Sequence, residues 1–202
     1  MIQRKLGTLL FNEGDVAGFL YLVEKGVVQE QKSLADGRRV ITAFRYPGEL
    51  VGLALEHLHG CAAEAATDVR LRCFSRQKLL ERIEPPSELH QLFLSHLAQE
   101  LWQAQNHLLT LARKTATERV ASFLVELSDQ AARRGNCATR LWIPMSRQAI
   151  ADHLGLTLET VSRVFSQLRR KGTISAEQDK FLKILDLCTL QDLAGRSPNA
   201  MK

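Results

Sequence analysis

Between Met145 and Lys171 the chain reads MSRQAIADHLGLTLETVSRVFSQLRRK, and inside this stretch Glu159 and Arg163 stand four residues apart with Ser162 beside the arginine. Four residues is about one helical turn, so on a helix the carboxylate and the guanidinium share a face. A guanidinium forks onto guanine O6 and N7, and a carboxylate accepts from cytosine N4, so this pair has the chemistry to read a G·C base pair. Thr157, Thr160, Gln167, Arg169 and Arg170 fall on the same polar side. Arg147 and Gln148 stand further upstream, where side chains of these types reach phosphates.

Two short helices joined by a tight turn would position these groups. Ala151 is the small residue that lets the second helix cross close to the first, Gly155 supplies the positive φ that ends the first helix, and Val161 is the branched residue of the buried face. Ile150, Leu154, Leu156, Val164, Phe165 and Leu168 complete an apolar face at helical spacing. Ser146 and Thr157 suit the two N-caps, and Glu159 places negative charge near the second N-terminus. The segment therefore predicts a helix-turn-helix whose second helix enters the major groove of DNA.

The 202 residues allow two modest domains, and 45% hydrophobic with 24% charged residues is ordinary for a globular protein. The net charge of +5 favours a polyanionic partner. Its placement says more, because Arg133, Arg134, Arg140, Arg147, Arg163, Arg169, Arg170 and Lys171 crowd the C-terminal part. No apolar run is long enough to span a bilayer and the first residues lack a secretory signal's apolar core, so no membrane partner and a cytoplasmic location are expected. Cys61, Cys73, Cys137 and Cys188 are scattered with no CxxC pair, which gives free thiols and no metal site. The HxH of His57 and His59 reads as structural or solvated, and His96, Asn106 and His107 as rim residues rather than a pH sensor or haem ligands. No Ser-His-Asp order, P-loop or paired carboxylates support an enzyme.

From Leu9 to Phe74 short apolar runs alternate with turn formers, among them Asn12-Glu13-Gly14-Asp15, Glu24-Lys25-Gly26 and Ala35-Asp36-Gly37-Arg38. This predicts a compact antiparallel barrel or jelly roll over residues 1–84. Pro85-Pro86 ends it, and Ser87 caps an uninterrupted helix within residues 85–113. Leu89, Phe93, Leu97, Leu101, Ala104, Leu108 and Leu111 form a seam of coiled-coil spacing along that helix, while Leu94, Trp102 and Leu109 lie off it and pack on the barrel. The seam predicts a homodimer, with Leu97, Leu101, Ala104, Leu108 and Leu111 as its contact residues. In residues 114–202 a helix from Thr115 or Thr117, a short strand at Leu141-Trp142-Ile143, the helix-turn-helix, two strands flanking Glu177 to Lys180 and a last helix at Asp186 to Ala194 make a winged helix-turn-helix. The fold class is α+β.

A barrel, a dimer helix and a winged helix-turn-helix in this order resemble the CRP/FNR superfamily of bacterial transcription regulators over nearly the whole chain. Leu156-Thr157-Leu158-Glu159-Thr160-Val161-Ser162-Arg163 is similar to the FNR and FixK branch, where E-x-x-S-R marks the recognition helix. The resemblance implies that Glu159 and Arg163 read the G·C pair of a TTGAT half-site and that Ser162 contacts the neighbouring thymine. It implies a dimeric activator that contacts RNA polymerase on double-stranded DNA. Cyclic-AMP binders of the family carry a G-E-L segment and an Arg-Ser pair; Gly52-Leu53-Ala54 and Cys61-Ala62-Ala63 stand in their places, so no cyclic nucleotide is expected. No cysteine precedes Cys61, so the cysteine cluster that holds iron–sulfur in FNR is lacking, and no cofactor is expected. Cys137 and Cys188, in the DNA-binding half, are the candidates for thiol oxidation. The second reading is a small-effector sensor of the same superfamily, for haem or nitric oxide, with DNA binding as its output.

Overall fold

The computed structural model describes residues 1–53, 57–83 and 87–196. Pro85-Pro86, Ala54 and the last six residues of the expected DNA-binding domain lie outside them. The chain divides into two compact units, Met1–Ala104 and Gln105–Lys202. The division falls within the long helix.

In the first unit the described strands are β1 (Ile2–Arg4), β2 (Leu9–Phe11), β3 (Phe19–Lys25), β4 (Val28–Ser33), β5 (Arg39–Arg45), β6 (Leu50–Val51), β7 (Ala62–Ala65) and β8 (Val69–Ser75). They form two four-stranded antiparallel sheets, ordered β1-β8-β3-β6 and β2-β7-β4-β5. Of the expected barrel or jelly roll, the described strands form the second arrangement, two sheets facing one core and no closed barrel. The pleat explains the layering, since alternate side chains of each strand turn inward. Phe11, Val28, Ala63 and Ala65 come from one sheet and Val23, Val51, Val69 and Leu71 from the other, all in one buried cluster. Gly26 makes the β3–β4 turn at φ +87°, where a Cβ would lie 2.3 Å from the Asp68 carbonyl oxygen. Only glycine fits that approach. A short helix, α1 (Arg76–Leu80), follows β8 and is capped by Ser75.

Helix α2 (Glu88–Arg113) begins where Ser87 Oγ accepts the His90 amide at 3.1 Å. Its outward side differs from the expected seam at Phe93 and Leu94. Phe93 is half-buried, and Leu94, expected on the barrel, is 50% exposed. Leu94, Leu101 and Leu108 repeat every seven residues and are all open, at 50%, 61% and 67%. Leu97, Ala104 and Leu111, three residues further along each time, complete a heptad pattern. Trp102 and Leu109 are also exposed. No described helix is long and apolar enough to cross a membrane.

In the second unit α3 (Ala116–Arg133) starts from a capping box in which Thr115 and Glu118 satisfy each other's backbone amides. It buries Val120, Phe123, Leu124 and Leu127. A three-stranded antiparallel sheet, ordered β10-β11-β9, combines β9 (Arg140–Trp142) with the hairpin β10 (Ile174–Ala176) and β11 (Phe181–Ile184). Asp179 and Lys180 take positive φ at the hairpin tip. Between β9 and β10 lie α4 (Arg147–Leu154) and α5 (Leu158–Arg170), and α6 (Leu187–Leu193), capped by Asp186, closes the unit on α3. The elements of the expected winged helix-turn-helix are all present.

Candidate nucleic-acid interface

Each sharp feature of the α4–turn–α5 unit has a residue that causes it. Ser146 Oγ accepts the Ala149 amide at 3.0 Å and starts α4. Gly155 ends α4 in the left-handed region at φ +61°, and the Leu156 amide returns to the Ala151 carbonyl at 3.0 Å. Thr157 Oγ1 then accepts the Thr160 amide at 3.2 Å and starts α5. Ile150, Ala151, Leu154, Val161, Phe165 and Leu168 are essentially excluded from solvent, so the two helices are held by one apolar seam.

Arg119 of α3 fastens this unit to the last turns of α2. Its guanidinium donates to the carbonyls of Leu154 at 3.0 Å, Gly155 at 3.3 Å, Leu111 at 2.8 Å and Lys114 at 2.9 Å. Two helix C-termini, each with orphan carbonyls, are thereby satisfied by one cation. Sequence reading missed Arg119, because nothing in its neighbourhood marks carbonyls that lie up to 36 residues away.

On α5 the outward stripe is Glu159, Ser162, Arg163, Ser166 and Arg170, with Ser162 half-buried and the rest exposed. No ion pair among the described residues engages Glu159 or Arg163. Hydrogen bonds from the helix N-terminus, its own amide first and then the Thr157 hydroxyl, hold the Glu159 carboxyl below the usual carboxylate range. It is therefore an ionised acceptor at neutral pH, as contact with cytosine N4 requires.

The other expected contact residues are more constrained. Arg147 sits over the Phe165 ring, its guanidinium carbon 3.6 Å from the ring centroid, and burial together with nearby Arg169 lowers its pKa. Gln148 donates to Asp152 at 2.6 Å, and the Thr157 and Thr160 hydroxyls bond each other at 3.1 Å. Arg169 is exposed, with Nε 3.4 Å from the Phe165 carbonyl. Thus Glu159, Ser162 and Arg163 stand together on the outward stripe, whereas Thr157 caps α5 and Arg147 sits over the Phe165 ring beside it. Ser166 was overlooked by sequence reading; its hydroxyl bonds the Ser162 carbonyl at 2.9 Å.

His107 near the end of α2 stacks on buried His153 of α4, ring centroids 4.2 Å apart, with Phe123 edge-on to His153. Burial, with the Arg119 charge acting the same way, pushes the His107 pKa below its ordinary 6.5. The folded unit thus prefers neutral His107, and this stabilisation is full above the unfolded pKa and declines as pH falls through it. Thermal stability of the DNA-binding unit is expected to hold above pH 7 and drop as pH is lowered through about 6.5, and His107→Gln should flatten that limb. A wild-type melting temperature that does not change between pH 7.5 and 5.5 would contradict the assignment.

Cys137 and Cys188 are exposed and unpaired by disulfides. Hydrogen bonds involving Thr139 lower the Cys137 pKa, whereas burial and then Glu30 push Cys61 up to about 11.

Comparison with known proteins agrees with this geometry. Residues 2–85 match the cyclic nucleotide-binding domain and residues 118–193 the Crp-like helix-turn-helix domain. The nitrogen fixation regulation protein FixK of Rhizobium meliloti is 39% identical over 189 residues, covering 94% of this chain and 84% of that protein. The transcriptional activator protein anr of Pseudomonas aeruginosa is 36% identical, covering 95% and 79%. The solved structure of FixK2 from Bradyrhizobium japonicum superposes with a TM-score of 0.89 at 36% identity, covering 97% of each chain. These relatives are regulators rather than enzymes, and the chain belongs to the CRP/FNR family of DNA-binding transcription regulators.

Proposed function

We propose that two copies of the chain bind a two-fold DNA site built from TTGAT half-sites and activate transcription from it through contact with RNA polymerase. The observation that carries the reading is the outward stripe of α5, where an ionised carboxylate and an unpaired guanidinium stand one turn apart on a helix whose other face is buried. The open heptad Leu94, Leu101 and Leu108, with Leu97, Ala104 and Leu111, is the dimer surface in this reading. A dimer sets its recognition helices about 34 Å apart, one turn of duplex, which matches a palindrome. Activation is supported by relatives named as transcriptional activators, and polymerase contact is the proposed means of it. The chain acts where the DNA is, in the cytoplasm.

Cyclic nucleotide control is not part of the proposal, despite the name of the matching domain. A cyclic phosphate needs a cation and free amides. Here the Gly52 amide faces the Glu30 carboxylate at 3.4 Å, and Arg45 is already paired with Glu30 and Glu100. His59 stacks on Phe11 at 3.6 Å, and their rings lie within 3.4 Å of where a Cβ on Gly52 would stand. An anion entering beside Glu30 would meet like charge.

The test is titration of a TTGAT-N4-ATCAA duplex against one of the same composition with both half-sites scrambled, at fixed salt. The palindrome is expected to bind at least about 10³-fold more tightly, as specific sites do. Equal affinity for both duplexes would leave only the sequence-independent phosphate contribution and sink the reading.

A further inference from the structure

Glu30 on β4, Arg45 at the end of β5 and Glu100 on α2 are brought together from three separated stretches of the first unit. Arg45 contacts the Glu30 carboxylate through Nη2 at 2.6 Å and Nε at 2.8 Å, and its Nη1 lies 3.1 Å from Glu100. The side chains are only 8% exposed for Glu30, 12% for Arg45 and 26% for Glu100. Burial raises the Glu100 pKa against the pull of Arg45.

Charges withdrawn from water in this way seldom add net stability, because desolvation offsets the attraction; their attested use is to fix a register. Here the register is the rotation of a helix. Successive residues of α2 are separated by about 100°, so Glu100 toward the sheets leaves Leu94, Leu97, Leu101 and Ala104 on the neighbouring outward sector. A one-residue slip would turn Leu101 to the place of Glu100 and carry the Glu100 carboxylate about 100° away from Arg45.

We propose that Arg45 is a positioning residue for DNA binding: clamped by Glu30 and reaching Glu100, it fixes the rotation of α2 and so selects the apolar seam that α2 offers to a second copy. This rests on the homodimer reading above. Arg45 itself is a poor test, because Arg45→Met leaves buried Glu30 without its partner and threatens folding. Glu100→Ala keeps the Glu30–Arg45 pair and removes only the link to α2.

The experiment compares the full-length wild type with Glu100→Ala and Glu100→Gln. It reads the dimer dissociation constant by sedimentation equilibrium, and affinity for TTGAT-ATCAA duplexes with spacers of three, four and five base pairs. Wild type should prefer one spacer strongly. Glu100→Ala should melt like wild type, dimerise about tenfold more weakly or worse, and lose most of its spacer preference, since a residue that only stabilised the sheets would not alter spacing. Glu100→Gln, which keeps an acceptor for Arg45, should fall between. An alanine variant with wild-type dimerisation and spacer preference overturns the proposal alone. A wild-type chain that stays monomeric and indifferent to spacer overturns the dimer reading and this proposal with it.

Discussion

Phe165→Ala is expected to cost about 3–5 kcal/mol, the usual loss for a large aromatic removed from a packed core. Phe165 is fully buried in α5, and the site has little room to collapse because Ile150, Ala151, Leu154 and Leu168 are fixed by two capped helices. The ring is also the platform under the Arg147 guanidinium, so the cation loses its support along with the core. For a unit of this size 1 kcal/mol shifts the melting temperature by about 4–8 °C, so a drop of at least about 12 °C should appear in the second unit's transition. The first unit's transition should stay in place, since Phe165 belongs to the other compact body. A shift below about 4 °C would show that the α4–α5 core does not depend on this ring.

Leu101→Glu should leave each unit folded and abolish tight DNA binding. Leu101 is 61% exposed, so the substitution disturbs little within one chain, where surface changes stay within about 0.5 kcal/mol. In the dimer it would set two carboxylates against each other in an apolar seam. Joining two half-site binders raises their combined affinity by about 10²–10⁴-fold, and that gain is what the variant should lose. Sedimentation at micromolar protein, read beside a melting curve, checks both halves of the expectation. A Leu101→Glu chain that remains dimeric would place the interface elsewhere.

The α4–turn–α5 unit was legible in the sequence because local rules determine each of its features. A hydroxyl at each N-cap, a glycine at the αL position and apolar residues at helical spacing leave few alternatives between Ser146 and Leu168. The span of α2 was equally plain from its cap and its lack of proline or glycine. Its outward side was ambiguous at one position, because Phe93 and Leu94 are both apolar and only packing decides which turns inward. The sheets were harder still. β1 has three residues with a single half-buried apolar one, and β7 reads Ala-Ala-Glu-Ala, too small to signal a strand. Pairing order in an antiparallel sandwich is non-local, so spacing alone left a closed barrel and a two-sheet jelly roll both open. Arg147 shows the same limit at the interface. Its type suggests a phosphate contact, and only the fold reveals the aromatic ring beneath it. Arg119, the stacked His107–His153 pair and the Glu30–Arg45–Glu100 group likewise join residues too distant in sequence for any spacing rule to link.

In the proposed complex Arg163 and Glu159 read one base pair. The most direct measurement is a double-mutant cycle at fixed salt, combining Arg163→Ala in the protein with replacement of the half-site G·C pair by A·T in the duplex. Wild type should lose about 1–3 kcal/mol per half-site on the altered duplex, and Arg163→Ala should discriminate less, keeping only what Glu159 supplies through cytosine N4, so that the coupling equals the discrimination lost with Arg163. If Arg163→Ala weakens both duplexes by the same factor and still prefers G·C, Arg163 is only a phosphate contact and the account of how this chain chooses its site is wrong.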